Sequence, residues 1–448
     1  MSALPANAAT TERGMPAKAV TAATIGTALE WFDFSLYGVV SATIFPKLFF
    51  PALDPTSGLL ASLATFGVGL AARPLGAVIC GYLGDRFGRR NLLLVTVSLM
   101  GLSSVLMGLL PTYAQIGIGA PILLVVLRIL QGFALGGEST GAQLMALEHA
   151  PSNARGKYSG FLGICSPISQ ILANGALLLI SSQLSPTDFE RYGWRIPFLG
   201  SFVLLVVAVY IRLRVHETPA FVKLQRTRVV EVSSPLRDAA RLHYRDILRL
   251  MLVFCGPTAL FYLVVVFSLS YLTGKLGVPK QTAFLLLMGA NACAIVGALA
   301  GGLLSDRIGR RRALALGSTV TLLTLLVFFP MLGSGSVAVM MIAIGTLLGF
   351  TQFQSGIQPV YFAESFPTNV RYSGSALSYT AANLLAGATL PALAVWLLKT
   401  FDGSPWSVVA IVGFWNALSL AMILIGPETR HNDLQRSDAA KDLAGARA

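Results

Sequence analysis

Long apolar runs alternate with short polar segments along almost the whole of this chain of 448 residues. Each run contains about 20 residues or more, which is the length that an α-helix needs to cross a bilayer. The pattern predicts twelve membrane-spanning helices, which we number as spans one to twelve. They cover roughly 21–49, 58–83, 91–110, 119–148, 157–182, 195–214, 248–273, 281–304, 313–332, 336–363, 371–399 and 405–425.

Two charged segments between these runs occur twice. The sequence GYLGDRFGRR at Gly81 returns as GLLSDRIGRR at Gly302, and EHAPSNAR at Glu148 returns as ESFPTNVR at Glu364. The offsets of 221 and 216 positions are both close to half of the chain length, which indicates a duplicated half. An internal repeat in a membrane bundle predicts two similar lobes with a substrate site between them.

The predicted fold is an all-α membrane protein of two pseudo-symmetric six-helix lobes. We expect the N-terminal lobe at 21–214 and the C-terminal lobe at 248–426, joined by a basic linker at 215–247. Tails at 1–20 and 427–448 complete the chain.

Composition and charge agree with a membrane protein. Hydrophobic residues make up 54% of the chain and charged residues 12%, against about 25% charged residues in a soluble domain. The net charge of +13 does not indicate a nucleic-acid partner, because loops on one side carry 19 Lys and Arg and those on the other side carry 6. Cytoplasmic loops are enriched in Lys and Arg, so we expect both termini in the cytoplasm and the chain in the cytoplasmic (inner) membrane.

Five ionisable residues lie deep inside the predicted spans, away from the span ends, and all belong to the first lobe: Glu30, Asp33, Arg73, Arg128 and Glu138. Such residues are costly in a bilayer, so each is a functional hypothesis. A carboxylate left without a cation takes up a proton more readily; we expect Asp33 to carry the proton, with Glu30 and Glu138 as alternatives. A guanidinium forks onto a carboxylate; we expect Arg128 to hold an anionic substrate, with Arg73 second. Pairs that only fix helix packing are the alternative.

Neutral polar residues inside the spans are the other candidate substrate contacts. They are Tyr37 and Gln131 in the first lobe and Gln354, Gln358, Tyr379 and Asn383 in the second. Gln354 and Gln358 are four residues apart and share one face of span ten. The alternative for the tyrosines is a packing or interfacial role.

The repeated charged segments lie at one end of the predicted bundle, which we call the motif end; the opposite end is the far end. Acid–base pairs at the motif end would hold the two lobes together while the far end is open. The predicted gate residues are Asp85, Arg86, Arg89, Glu148, Arg155, Asp306, Arg307, Arg310, Glu364 and Arg371. The alternative is that the arginines only set the topology.

These motifs resemble those of the major facilitator superfamily, whose signature G-x-x-x-D-R-x-G-R-R lies between spans two and three, with a weaker copy between spans eight and nine. The closer resemblance is to its metabolite:proton symporter family, which includes carriers of shikimate, 2-oxoglutarate, citrate, and betaine or proline. It rests on EWFDF at Glu30, ARPLG at Ala72, QGF at Gln131, GWRIPF at Gly193 and ETPAF at Glu217. The resemblance implies transport coupled to protons.

We therefore expect a monomeric secondary active transporter that takes up a small organic anion with a proton by alternating access. No metal, further cofactor or enzymatic activity is expected. A proton-coupled carrier of a zwitterionic osmolyte, such as betaine or proline, is an alternative, although the resembling osmolyte carriers have a long C-terminal coiled coil and this chain ends about 20 residues after span twelve. A non-transporting membrane sensor is a remote alternative.

Overall fold

The computed structural model describes residues 30–87, 89–136, 139–148, 150–214, 239, 241–368, 370–432 and 434. These residues are helical over most of their length, and no strand occurs in the described ranges. Eight of the described helices are long and apolar enough to cross a membrane, and Leu94–Leu109 and Gly119–Leu135 are shorter apolar helices.

The first six spans form the first lobe. Their helices are 30–43 with Phe45–Phe49, Pro55–Phe87, Arg89–Leu109, Gly119–Leu135 with Ser139–Glu148, Arg155–Gly163 with Cys165–Gln183, and Arg195–Arg214. Short helices at Tyr113–Ile116, Pro186–Asp188 and Phe189–Gly193 lie in the loops of the far end. The described part of span one begins at residue 30, so the predicted start at residue 21 lies outside the described residues.

The last six spans form the second lobe. Their helices are Tyr244–Lys275, Lys280–Ile308, Arg310–Leu332, Val337–Ser365, Arg371–Thr400 and Trp406–Ile425. Two of them contain wide π turns, at Leu263–Phe267 and Tyr271–Lys275 in span seven and at Asn383–Ala388 in span eleven. Such turns often occur at functional positions. Tyr262 directly precedes the turn at Leu263–Phe267, and Asn383 begins the turn at Asn383–Ala388. The two side chains face each other in the bundle.

The repeat seen in the sequence recurs in the packing of the two lobes. A Cβ atom on Gly76 of span two would lie 1.9 Å from the carbonyl oxygen of Phe133 in span four. The positions that correspond by the two offsets are Gly297 and Gly349, and a Cβ on Gly297 would lie 2.0 Å from the carbonyl oxygen of Gly349. In each lobe, a glycine therefore lets the same pair of helices pack with their backbones in contact.

The two lobes also approach each other closely. Gly67 of span two packs on the carbonyl of Ala388 in span eleven, and Gly156 of span five packs on the carbonyl of Gly302 in span eight, with 2.5 Å between each added Cβ and the carbonyl oxygen. These contacts leave little room between the lobes, so the centre of the bundle is enclosed.

Candidate functional site

Arg128 lies at the centre of the first lobe and has no exposed surface. Aromatic rings of spans one and two surround its guanidinium, with the Cζ atom 4.1 Å from the ring centre of Tyr37, 4.9 Å from that of Phe34 and 5.1 Å from that of Phe66. Gly69 of span two makes room for it, because a Cβ there would lie 2.3 Å from Nε of Arg128. Rings stabilise the cation through their π faces.

The hydrogen bonds of Arg128 are incomplete. Its Nη1 donates to Oε1 of Gln131 at 2.5 Å, whereas its buried Nε and Nη2 have no hydrogen-bond partner among the described residues. Unsatisfied buried N–H groups are costly. Nε and Nη2 form one edge of the planar guanidinium, and this is the geometry that binds both oxygens of a carboxylate.

Asp33 is buried near Arg128 but is not ion-paired with it. Its carboxylate accepts a hydrogen bond from the hydroxyl of Ser201 in span six, and the nearby hydroxyl of Ser104 in span three also stabilises its charge. The charge of Arg128 acts on it electrostatically, but within the described ranges no ion pair within 4.0 Å joins Asp33 to an arginine. Hydroxyl groups, which carry no charge, are thus its direct partners.

The other intramembrane charges of spans one and two lie at the interface with span eleven. Glu30 and Arg73 are buried, and both act electrostatically on Tyr379 of the second lobe. The Cζ of Arg73 lies 4.6 Å from the ring centre of Phe34, whose ring also contacts Arg128. Two arginines thus share one aromatic ring. Glu138, an alternative proton site, lies outside the described residues.

The predicted polar contacts of the second lobe divide into two groups. Tyr379 and Gln358 line one small cavity between the lobes, with a volume of about 10 Å³, and the hydroxyl of Tyr262 donates to Asn383 at 3.3 Å. Gln354, by contrast, accepts from Ser318 of span nine at 2.7 Å. A cavity of this volume holds about one water molecule, so the lobes are closed around it.

Some buried polar residues were not predicted from the sequence. Gln170 of span five is buried, and neither its Oε1 nor its Nε2 has a hydrogen-bond partner among the described residues. The same holds for Oδ1 of Asn174, one turn further along. The spacing of Gln170 and Asn174 is the same four-residue stripe in an apolar run that pointed to Gln354 and Gln358.

At the motif end, two reciprocal ion pairs join the lobes. Arg371 of the second lobe contacts Glu148 of the first at 3.0 Å, and Arg155 of the first lies 4.0 Å from Glu364 of the second. Glu148 and Glu364 correspond by the repeat, as do Arg155 and Arg371. The duplicated segment therefore places its acid and its base across the interface in both directions.

Arg310 organises the second-lobe side of the motif end. Its buried guanidinium donates to both oxygens of Glu364 at 3.2 Å and to Asp306 at 2.7 Å. Asp306 in turn accepts from the backbone N–H groups of Gly156 and Lys157 at 2.9 and 2.8 Å, where a helix of the first lobe begins. An acid at a helix N-terminus is stabilised by the helix dipole.

The remaining predicted gate residues behave differently. Arg307 contributes its backbone carbonyl, which accepts from Arg430 at 2.7 Å. Asp85, Arg86 and Arg89 lie in helices, but their side chains are outside the described part of the structure.

A segment that follows span twelve covers the motif end. We call residues 427–432 and 434 the C-terminal strap. Glu428 accepts from the backbone N–H groups of Arg310 and Arg311 at 2.8 and 3.1 Å, and Thr429 donates to Glu364 at 2.9 Å. The first lobe reaches it through Arg155, which donates to the carbonyl of Asn432 at 3.0 Å. The strap thus bonds to gate residues of both lobes.

The far end is closed as well. Glu190 of the first lobe binds Lys47 at 2.9 Å and Lys280 of the second lobe at 3.2 Å. Asp54 lies 3.8 Å from Lys399, again between the lobes. Burial alone would raise the pKa of Glu190, but its hydrogen bonds and charge interactions with the two lysines outweigh this and hold the pKa below its ordinary value. Contacts at both ends make this an occluded arrangement.

Comparison with known proteins decides the family. The model of the sugar (and other) transporter family matches residues 18–240 and 230–440, which are most of the chain. The chain belongs to this family. The two matched segments meet between the two lobes.

Curated relatives cover almost the whole chain. The inner membrane metabolite transport protein YhjE of Escherichia coli (strain K12) is 37% identical over 426 residues, covering 93% of this chain and 95% of the relative. The shikimate transporter of the same strain is 36% identical, covering 89% and 91%. A proline/betaine transporter of Salmonella typhimurium is 33% identical, covering 96% and 87%. The protein is therefore a transporter of metabolites and not an enzyme.

Solved structures show the fold. A crystal structure of the D-xylose-proton symporter has a TM-score of 0.74 at 18% identity and covers 93% of this chain and 99% of its own. A second, of the proton:xylose symporter XylE of the major facilitator superfamily, has a TM-score of 0.73 at 19% identity, with 95% and 98% covered. The predicted two-lobed bundle of twelve helices is confirmed as the fold. With the family match, this makes the protein a multi-pass membrane transporter.

Proposed function

We propose that this protein imports a small organic anion together with a proton across the cytoplasmic membrane by alternating access. The observation that carries the proposal is the buried Arg128, whose Nε and Nη2 edge has no partner among the described residues. An anionic carboxylate would satisfy both N–H groups and compensate the charge of the arginine. The curated relatives with names of carboxylate-bearing metabolites support this substrate class.

The proton belongs on Asp33 in this proposal. When a buried carboxylate is held only by hydroxyls, its charged form is stabilised less than when it is paired with an arginine. When Asp33 is neutral, the charge of Arg128 is compensated by the substrate instead. Proton and anion therefore enter together. The proton neutralises the buried charge of Asp33, and the anion compensates the buried charge of Arg128 that would then remain.

The contacts that close the two ends of the bundle control which side of the membrane the site opens to. We propose that the motif end faces the cytoplasm, since the basic loops lie there, and that the far end faces outward. Opening outward requires the pairs of Glu190 with Lys280 and of Asp54 with Lys399 to break, whereas opening inward requires the pairs of Arg155 and Arg371 to break. No metal or further cofactor takes part, and the monomer contains both lobes of the site.

An osmolyte carrier is the second candidate. It is favoured by the relatives named as proline/betaine transporters and by the aromatic rings of Phe34, Tyr37 and Phe66. A quaternary ammonium group stacks on such rings, while its carboxylate would bind the same arginine. In the structure, however, these rings already contact the guanidinium of Arg128.

The deciding experiment measures charge movement and tracer uptake in proteoliposomes that contain the full-length protein. A panel of mono-, di- and tricarboxylates, hydroxylated ring acids and betaines is offered with and without an inward proton gradient. We expect uptake of a carboxylate that increases with the gradient and disappears in Arg128→Ala, but not in the control Arg191→Ala at the far end. Uptake of betaines alone would support the osmolyte carrier, and no uptake or exchange of any compound would contradict both.

A further inference from the structure

Asp33 and Arg128 are joined by two intervening side chains. Nη1 of Arg128 donates to Oε1 of Gln131 at 2.5 Å, and Nε2 of Gln131 donates to Oγ of Ser104 at 2.8 Å. The Ser104 hydroxyl also interacts with the Asp33 carboxylate. Two hydrogen bonds and the interaction of Ser104 with Asp33 therefore connect span four to span one through span three.

All members of this hydrogen-bonded path are buried. Arg128, Gln131 and Ser104 have no exposed surface, and Asp33 is 4% exposed. Water therefore does not compete for these groups from bulk solvent, and a buried polar group is stable only if its hydrogen bonds are made within the protein. Each member thus depends on its neighbours for its orientation.

Chemistry sets the direction of the hydrogen bonds. A guanidinium only donates, and an ionised carboxylate only accepts. With Asp33 ionised, Arg128 must donate to Gln131, the amide to Ser104, and the Ser104 hydroxyl to Asp33. All three donors then point from the positive end of the chain to its negative end.

Ser104 has a second acceptor within reach. Its hydroxyl lies 3.3 Å from the carbonyl oxygen of Met100, one turn back on its own helix. A protonated Asp33 no longer needs this donor and instead carries a donor of its own. The Ser104 proton can then turn to Met100, while its oxygen still accepts from Gln131. The hydroxyl thus has two positions, one for each protonation state of Asp33.

We propose that Ser104 and Gln131 are positioning residues that couple the protonation of Asp33 to the orientation of Arg128. This proposal rests on the proposed function, in which Asp33 takes up the proton and Arg128 binds the anion. With Asp33 ionised, the polarised chain holds Nη1 toward span three. After protonation the chain loses its negative end, and the guanidinium turns its charge toward the substrate carboxylate.

Other charged groups near this hydrogen-bonded path do not provide an alternative connection between Arg128 and Asp33. Arg128 is the charged group that acts on Asp33 from another helix, and Glu30 lies one turn away on the same helix. Around Arg128, the titratable neighbours are Tyr37, Arg73 and Tyr262. Ser201 also donates to Asp33, but it lies in span six, and within the described ranges no hydrogen bond connects it to Arg128.

The test uses infrared spectra of the full-length protein in lipid, titrated with acid and without any substrate. The carboxyl band that is absent in Asp33→Asn reports the protonation of Asp33. Loss of the Ser104 donor in Ser104→Ala removes a bond to the ionised form, so we expect the midpoint to move to higher pH by roughly tenfold in proton concentration. Gln131→Leu should move it in the same direction although Gln131 does not contact Asp33. Ser104→Thr, which keeps the hydroxyl, should restore the midpoint.

Ser103→Ala is the matched control, because Ser103 is equally buried in the same helix but bonds the carbonyl of Leu99 at 2.7 Å. It should leave the midpoint unchanged. A titrating Asp33 band whose midpoint is the same in Gln131→Leu and in the wild type overturns the relay, while the proposed function stands. A wild type in which Asp33 shows no titrating band contradicts the proton site itself, and with it the relay.

Discussion

At the scale of single residues, Arg128 determines the chemistry of the central site. Its charge is stabilised by three aromatic rings and one amide, and the edge formed by Nε and Nη2 has no partner among the described residues. Asp33 lies within its electrostatic influence and is held by hydroxyl groups. One permanent charge and one removable charge therefore share a buried region.

Asp33→Asn tests the removable charge. Asparagine has nearly the same shape and accepts from Ser201, but it cannot exchange a proton. We expect the variant to exchange substrate across the membrane at close to the wild-type rate and to lose accumulation against a gradient. Counterflow and gradient-driven uptake are measured side by side, with Asp188→Asn in an exposed turn of the far end as the control. Accumulation equal to that of the wild type would show that another group carries the proton.

Gly69→Ala tests the position of the Arg128 side chain without changing any charge. The added Cβ would lie 2.3 Å from Nε of Arg128, so the guanidinium must move. Because a hydrogen bond to a charged group is worth about 1.5–3 kcal/mol, affinity for the anion should fall by roughly tenfold or more. Gly200→Ala, where a Cβ has no neighbour within 4 Å, should bind the anion as the wild type does. Equal affinity in Gly69→Ala would place the anion elsewhere.

At the scale of elements, the C-terminal strap and the helix that begins at Arg310 act together. Glu428 accepts from the first N–H groups of that helix, which is where a negative charge is most favourable. The same strap bonds Arg155 of the opposite lobe and Glu364 of its own. Opening of the motif end must therefore break the contact between Arg155 and the strap.

Glu428→Gln tests this element. The amide keeps one acceptor but removes a charge worth about 0.3–1 kcal/mol at a helix N-terminus, so the closed motif end should lose up to about fivefold in population. Spin labels on the exposed positions Lys157 and Arg312, on opposite lobes, report the separation of the lobes by pulsed electron resonance. His431→Ala, an exposed position of the same strap, is the control. An unchanged distance distribution would mean that the charge of Glu428 in the strap does not stabilise the closed motif end.

At the scale of the whole molecule, both ends are closed by contacts between the lobes. The motif end has largely buried contacts between the lobes, such as those of Arg155 with Glu364 and of Asp306 with the N–H groups of Gly156 and Lys157, whereas the far end has exposed pairs around Glu190 and Asp54. Exposed pairs are worth about 0–1 kcal/mol. The far end is therefore the easier one to open from this arrangement.

Glu190 makes that opening dependent on acid. Its pKa is held below its ordinary value in the closed state, and it loses Lys280 when the far end opens. The pair therefore favours closure above the ordinary pKa of a glutamate, near 4.5, and this contribution is lost as the pH falls through the lowered pKa. We expect both Glu190→Gln at neutral pH and strong acid in the wild type to shift the far end toward the open state.

The measurement is the rate of thiol labelling at a cysteine introduced at Ser181, whose carbonyl accepts from Gln281 across the lobes. The rate should rise by up to about fivefold, because the exposed pair contributes at most about 1 kcal/mol. Asp402→Asn in the exposed loop between spans eleven and twelve is the control. A rate in Glu190→Gln that equals the wild-type rate at all pH values would exclude this pair from the gate.

By itself, the sequence determined the elements and the buried charges of this protein. The length of the apolar runs is dictated by the bilayer, so the helices could be placed within a few residues, and the duplicated segments predicted two similar lobes. The cost of charge in a membrane likewise singled out Arg128 and Asp33, which the structure brings into one buried region.

Only the tertiary structure decided which groups meet. Helical periodicity assigns a residue to a face but does not say which helix packs on that face. Gln354 therefore turned out to bond Ser318 within its own lobe, and Asp33 was found with the hydroxyls of Ser104 and Ser201 rather than with an arginine. Short polar side chains such as serine carry no pattern of their own in an apolar run, so their partners become visible only when neighbouring helices are in place.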